Sequence, residues 1–251
     1  MRTKHYKNNI SNVLKDKTLI CGLHTCQEAL SSPSTNVSHV YLIGDKKYPA
    51  WVYQIDKSII NYVSKEFLSQ LLHTTDMAHQ GIAMRIVSNK SENLHDINGT
   101  IVVLDNVSDP HNVGAIIRSA AVFGIKAIVL HNKSACKITS TVAKTSSGGI
   151  NHVQICSVPN IATTIKSLKK YGFWVVSLSE SGNKYLHEVD LKGKICLILG
   201  AENIGVRRLQ LENSDFVVKI PTTAHFSTLN VSNAAAIAFY ELARQNEFRI
   251  D

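Results

Sequence analysis

No run of apolar residues in this 251-residue chain approaches the roughly 20 that a helix needs to cross a bilayer. The N-terminus is basic, but no apolar core follows it, so it does not read as a secretory signal. The five cysteines, Cys21, Cys26, Cys136, Cys156 and Cys196, are odd in number and lack close regular spacing. That pattern argues against a disulfide framework and against a zinc site, and no metal is expected. Cys156 and Cys196 fall in strand-like runs and read as buried, reduced thiols, which implies a reducing, cytoplasmic compartment. Internal repeats and low-complexity segments are absent. Phosphate cradles are missing too. Gly200 and Gly205 have the glycine spacing of a P-loop, yet Val206-Arg207 stands where Lys-Ser/Thr is required. No Gly-x-Gly-x-x-Gly follows the strand-like run at 100–105. These absences disfavour ATP, GTP and dinucleotides and leave room for a nucleoside ligand without phosphates.

What is present describes a globular chain, with 44% hydrophobic and 18% charged residues. The formal net charge of +8 suits a polyanion such as nucleic acid, although charge alone speaks to association rather than to fold or reaction. Half of that excess is at the start. Residues 1–18 hold Arg2, Lys4, Lys7, Lys15 and Lys17 against Asp16 alone, 5 − 1 = +4. Residues 1–17 therefore read as a flexible basic arm able to lie on phosphates, the alternative being a solvated tail.

A polar, Asn/Ser-rich stretch at 88–99 reads as a linker between two blocks of different texture. The first block, 18–87, mixes short strand-like and helix-like runs and forms a small α/β unit. The second, 100–251, alternates more regularly. Strand-like runs at 100–105, 126–131, 152–158, 173–178, 195–199 and 216–220 are separated by helix-like runs at 112–124, 160–171 and 229–245. Continuous apolar strands interleaved with helices predict a parallel sheet covered on both faces. Ligands of such sheets bind at the carboxyl ends of the strands.

Three strand-to-loop passages carry chemistry. In the first, residues 104–114, Asp109-Pro110 forces a turn and Asn112 is placed to cap the helix that follows. That helix contains Arg118 among Ala, Ile, Val and Phe. A guanidinium stays charged at ordinary pH, and burying it unpaired costs several kcal/mol, so Arg118 is either paired structurally or directed at an anionic or oxygen-rich substrate. In the second passage, an apolar strand runs into Gly200, Glu202 and Gly205. Gly200 allows close backbone approach to a ligand, and Glu202 could pair with Arg118 or accept hydrogen bonds from a ligand. In the third, a strand ending at Ile220-Pro221 leads through a hydroxyl-rich loop into a helix. The group Ser227, Thr228, Asn230 and Ser232 is denser in hydrogen-bonding atoms than one cap needs, and free amides at the helix start could bind a carboxylate.

Together the passages resemble the three motifs of the SpoU, or tRNA/rRNA 2′-O-ribose methyltransferase, branch of the SPOUT superfamily. The matching elements are Asp109-Pro-His-Asn-x-Gly with Arg118, Leu199-Gly-Ala-Glu-x-x-Gly205, and Ile220-Pro followed by Leu229-Asn-Val-Ser232, in the family's order and separation. The resemblance covers about residues 100–251. The first block is similar, through Gly22-Leu-His24 and His79-Gln-Gly81, to the small substrate-binding domain of the subfamily acting on large-subunit rRNA. Two departures stand out: Thr228 replaces the usual Ser, which keeps the hydroxyl, and Asn233 stands where an apolar residue is common.

The resemblance implies a parallel α/β sheet with a deep trefoil knot, which periodicity would not predict. It implies S-adenosyl-L-methionine as methyl donor, held by backbone groups of Gly200, Ile220 and Leu229, and a homodimer with the active site at the subunit interface. The motif-one arginine, assigned the deprotonation of the ribose hydroxyl in the family, is Arg118 here. Asn112 would position Arg118 or the ribose, Glu202 would orient Arg118, and Asn230 and Ser232 would hold the target nucleotide or the donor. The expected substrate is RNA, with a guanosine of 23S rRNA first. The alternatives are tRNA and a non-catalytic RNA-binding ribosome-assembly factor.

Overall fold

The structure, a computed structural model, describes residues 18–32, 35–72, 79–88, 93–132, 135–136, 138–223 and 228–247. The basic arm at 1–17 and Ser227 lie outside them.

The first block folds around a four-stranded sheet of β1 (Thr18–Cys21), β2 (Thr35–Ile43), β3 (Ile60–Val63) and β4 (Ile82–Ser88), in the order β1-β4-β2-β3. β4 runs antiparallel to β1 and β2, and β3 runs parallel to β2. Helices α1 (Leu23–Ser31) and α2 (Lys65–Leu71) pack on it. The Ser64 hydroxyl caps α2 by accepting from the Phe67 N–H at 3.1 Å. The start of α1 lacks a cap of its own: Gly22 has φ 92° and no side chain, and the Leu23 N–H donates instead to Oε1 of Gln80, 2.8 Å away.

The second block is built on β5 (Thr100–Asp105), β6 (Ala127–His131), β7 (Gln154–Val158), β8 (Trp174–Leu178), β9 (Lys184–Tyr185), β10 (Ile195–Gly200) and β11 (Phe216–Lys219). They form a seven-stranded sheet in the order β7-β6-β5-β10-β8-β11-β9, with parallel pairing throughout. The helices are α3 (Pro110–Val122), α4 (Ser140–Thr145), α5 (Ile161–Lys170), α6 (Arg208–Glu212) and α7 (Val231–Gln245). Alternation along the strands divides the core. Val102, Leu104, Leu197 and Leu199 join α3 and α7 on one face, while Ile101, Val103, Cys196 and Ile198 join α5 on the other. Each such apolar side chain contributes about 1.5–3 kcal/mol on burial, and all six residues of β5, the polar Thr100 and Asp105 at its ends included, are sequestered. The expected parallel, doubly covered sheet is thus present. α4, α6 and β9 were not anticipated, being short and polar.

Cys196 is fully buried, and burial pushes its thiol up to about 12. Cys156 is only half-buried, contrary to expectation, because its strand β7 is the edge of the sheet. α4 links the two blocks: its Val142 and Ala143 share an apolar cluster with Ile20, Cys26 and Ala29. α3 and α4 approach so closely that a Cβ on Gly114 would sit 2.5 Å from Cβ of Thr145.

Candidate active site

Parallel pairing brings the loops after β5, β10 and β11 to one edge of the sheet. The first leads into α3. Here the helix begins two residues earlier than the sequence suggests. Asp109 is the N-cap, its carboxylate accepting from the His111 N–H at 2.9 Å, and Pro110 occupies the first turn, where its missing N–H costs nothing. Asn112 is therefore not the cap. Its buried side chain is free to reach outward.

The second loop folds back on itself. Ala201 bridges to Gly205, whose N–H donates to the Ala201 carbonyl at 2.7 Å, and Gly205 has φ 70°. The space where a Cβ of Gly200 would lie is filled by the backbone of Gly205 and Val206. The fold-back of its own loop therefore already requires glycine at 200. The fold-back leaves Glu202 exposed at the tip.

The third passage ends at α7. Asn230 is its N-cap, Oδ1 accepting from the Ser232 N–H at 2.8 Å and from the Ser232 hydroxyl at 2.6 Å. Its Nδ2 remains available. It donates to Oδ1 of Asn112 at 3.0 Å and to Oε1 of Glu202, and Asn112 Nδ2 donates to the same Glu202 oxygen at 3.2 Å. Three side chains from three separate loops close a triangle, with Ser232 attached to one corner. The carboxylate is held by neutral amides only; among the described residues no cation pairs with it.

Arg118 stands apart from this triangle. It is exposed, not buried, and among the described residues its guanidinium makes no hydrogen bond or ion pair. Neither Glu202 nor Asn112 orients it within the chain. Helix geometry explains the separation. Arg118 lies six residues beyond Asn112, about 600° of rotation, so the two point roughly 120° apart. The buried stripe of α3 is Asn112, Val113, Ile116, Ile117 and Ala120, whereas Arg118 shares the opposite face with Val122. Its backbone is wedged by the turn after α4, where a Cβ on Gly149 would lie 3.1 Å from the Arg118 Cα.

Sequence reasoning missed Asp105 and Arg207. Asp105, at the last position of β5, is fully buried and bound to Arg207 by its side chain and its main chain. The signal was a carboxylate ending an apolar strand, with two arginines following Gly205. Around the triangle the loops expose apolar side chains, Ile204 at 72% and Leu229 at 39%, beside half-buried Ile220. These surfaces, with neighbouring backbone groups and no phosphate cradle, fit an adenosine-type donor with an apolar face and no phosphates.

The fold and site define a class: a parallel α/β protein with a cluster of polar side chains gathered at its strand ends. The chain belongs to the SpoU rRNA Methylase family, whose model matches residues 99–240, and the model for RNA 2′-O ribose methyltransferase substrate binding matches residues 19–91. The chain is 33% identical over 246 residues to the 23S rRNA (guanosine-2′-O-)-methyltransferase RlmB of Blochmanniella floridana, covering 92% of this chain and 96% of that protein. It is 36% identical over 176 residues to the RlmB protein of Xylella fastidiosa, covering 66% of this chain and 71% of that one. The crystal structure of the SpoU methyltransferase AviRb from Streptomyces viridochromogenes in complex with AdoMet shares its fold, with a TM-score of 0.79 at 20% identity over 92% of this chain and 91% of that one.

Proposed function

We propose that this chain methylates a ribose 2′-hydroxyl in RNA, with S-adenosyl-L-methionine as donor and a guanosine of 23S rRNA as acceptor. The observation that carries this reading is the convergence of Asn112, Glu202 and Asn230 from three loops at the strand ends. A fold needs no such triangle on its exposed edge. Names given to relatives at 33% and 36% identity support the rRNA guanosine.

When bound, the donor supplies an electrophilic methyl group on a sulfonium. Backbone groups of Gly200, Ile220 and Leu229 would hold it, beside the apolar Ile204 and Leu229 side chains. Asn230 and Ser232 position the nucleotide or donor, and Glu202 fixes both amides in one orientation. Arg118 is the group that meets the acceptor. A guanidinium stays charged at ordinary pH, so the cation steers the RNA phosphate and stabilises the forming alkoxide, whose proton passes to solvent rather than to Arg118.

The exposed position of Arg118 is accounted for by a homodimer. Arg118 and Val122 on α3 share a surface with Asn233, Ile237 and Tyr240, which follow helical spacing on α7, and the Phe123 and Tyr240 rings meet edge-on at 6.1 Å. Val122 is 72% exposed, an apolar face that a second copy would cover and that would bring Arg118 to a site shared between protomers. The departure at Asn233 then falls in this interface. The trefoil knot belongs to the same reading, supported by the insertion of β10 between β5 and β8 and by the folded-back Gly200–Val206 loop. The cytoplasm is the compartment proposed.

Ribose-methylation mapping of total RNA from cells with and without the gene tests the proposal. Loss of one mark in 23S rRNA is the expected result. A lost tRNA mark would move the substrate to tRNA, the acceptor class of an Aquifex aeolicus TrmH/SpoU tRNA modifying enzyme that is 30% identical over 59% of this chain and 75% of that one, with a TM-score of 0.53. An unchanged map would favour the assembly-factor reading.

A further inference from the structure

Asp105 is a fully buried charge that the proposed mechanism does not use. Its position is unusual in one respect: both ends of the loop carrying Glu202 are anchored on it. The chain leaves the sheet at Gly200, which is the β10 residue in register with Asp105. It returns at Arg207, whose backbone N–H donates to Asp105 Oδ2 at 3.0 Å. The Arg207 guanidinium also reaches Oδ1, through Nε at 2.8 Å and Nη2 at 2.5 Å. Gln210, itself buried in α6, adds Nε2 at 3.4 Å. One carboxylate thus grips the main chain and side chain of the same residue and sits beside the loop's point of departure. With both feet fixed and Ala201 bridged to Gly205, the tip at Glu202 has little freedom.

An ion pair that only stabilised the core would be a poor use of a buried charge, because well-packed apolar residues commonly serve as well or better. Here the partner cation is 41% exposed while Asp105 is fully buried, so the charge is placed to hold a surface loop from beneath. We infer that Asp105 is a positioning residue for the methyl-donor loop, setting donor affinity through Arg207 without touching donor or acceptor. The inference rests on the reading of this edge as the donor site.

The test uses the full chain and measures S-adenosyl-L-methionine affinity by calorimetry, RNA affinity, donor KM against kcat, and thermal melting. Asp105→Asn keeps the shape and removes the charge. Losing charge-assisted hydrogen bonds to the loop raises the donor Kd and KM about 10- to 100-fold, with kcat at saturating donor and RNA affinity close to wild type. Arg207→Lys, which keeps the cation and the backbone N–H, gives an intermediate rise. Glu212→Gln, which removes an exposed pair with Arg208 on the same helix, leaves all four readings unchanged. If Asp105→Asn fails to fold, Arg207→Lys and Arg207→Ala decide the matter, because their side chain is partly exposed. Folded variants with wild-type donor Kd, or with lowered melting temperature as the only change, overturn the inference and leave methyl transfer standing. A wild-type chain that binds donor yet modifies no RNA overturns the acceptor assignment and leaves this inference in place.

Discussion

Two carboxylates at the same edge of the large sheet are treated in opposite ways. Asp105 is fully buried and meets a cation, Arg207; Glu202 is exposed and, among the described residues, meets the amides of Asn112 and Asn230 alone. The buried one has its charge matched where it lies, so its field is spent on holding a loop in place. The exposed one accepts from both amides and holds them in one orientation. The contrast separates the foot of the loop, which sets shape, from its tip, which presents chemistry.

The hardest blow to this division comes from removing the cation that neither carboxylate holds. Arg118→Ala should lower methyl transfer by at least about 10²–10³-fold, the usual loss for a group stabilising developing oxyanion charge, while donor binding stays near wild type. Single-turnover transfer to RNA together with calorimetry measures both; undiminished transfer would remove Arg118 from the mechanism. Arg118→Lys separates point charge from the planar fork and should fall between the two. Next is the tip. Glu202→Gln keeps the size but no longer polarises both amides, and kcat should drop about 10- to 100-fold with folding stability altered by less than about 0.5 kcal/mol, read from denaturant melts. A large loss of stability would mean that the tip is structural after all.

A smaller effect probes the helix that the edge depends on. Gly114→Ala drives a methyl into Thr145 on α4 and should cost about 1–3 kcal/mol in unfolding free energy. The smallest lies in the first block. Burial, with Lys46 and Lys65 nearby, lowers the pKa of His79, whose Nδ1 accepts from the Gly81 N–H at 3.0 Å. The folded chain therefore binds fewer protons here than the unfolded chain. That contribution is present above the unfolded pKa of about 6.5 and is lost as pH falls from there through the lower folded pKa. His79→Gln should flatten stability between about pH 7 and 5, followed by circular dichroism.

Much of this was legible in the chain. The run at 100–105 is β5, and its apolar centre at 101–104 gave a strand covered on both sides; the three motif passages led to the three loops that close the Asn112–Glu202–Asn230 triangle. Four things were hidden, each for a physical reason. Asp109 and Pro110 moved the start of α3 back two residues, so that Asn112 became a reaching side chain rather than a cap. Arg118, among apolar neighbours, was read as either paired structurally or directed at a substrate; the face it takes was not read, and a 3.6-residue period turns it outward. Gly200 gave a glycine's permissiveness without saying what would come close, and the answer was Gly205 and Val206 of the same loop. Asp105 and Arg207 are 102 residues apart, beyond the reach of any local pattern.

The turn after α4 has two neighbours. On one side the Glu28 side chain of α1 lies against Gly148, 3.0 Å from where a Cβ would be, and approaches His152 at 3.7 Å; on the other, Gly149 is pressed against Arg118. The smaller block is therefore not a cassette that can be traded between relatives at its linker. A graft would have to carry a matched turn at residues 146–152, or the recipient's arginine would inherit a wall cut for another tenant.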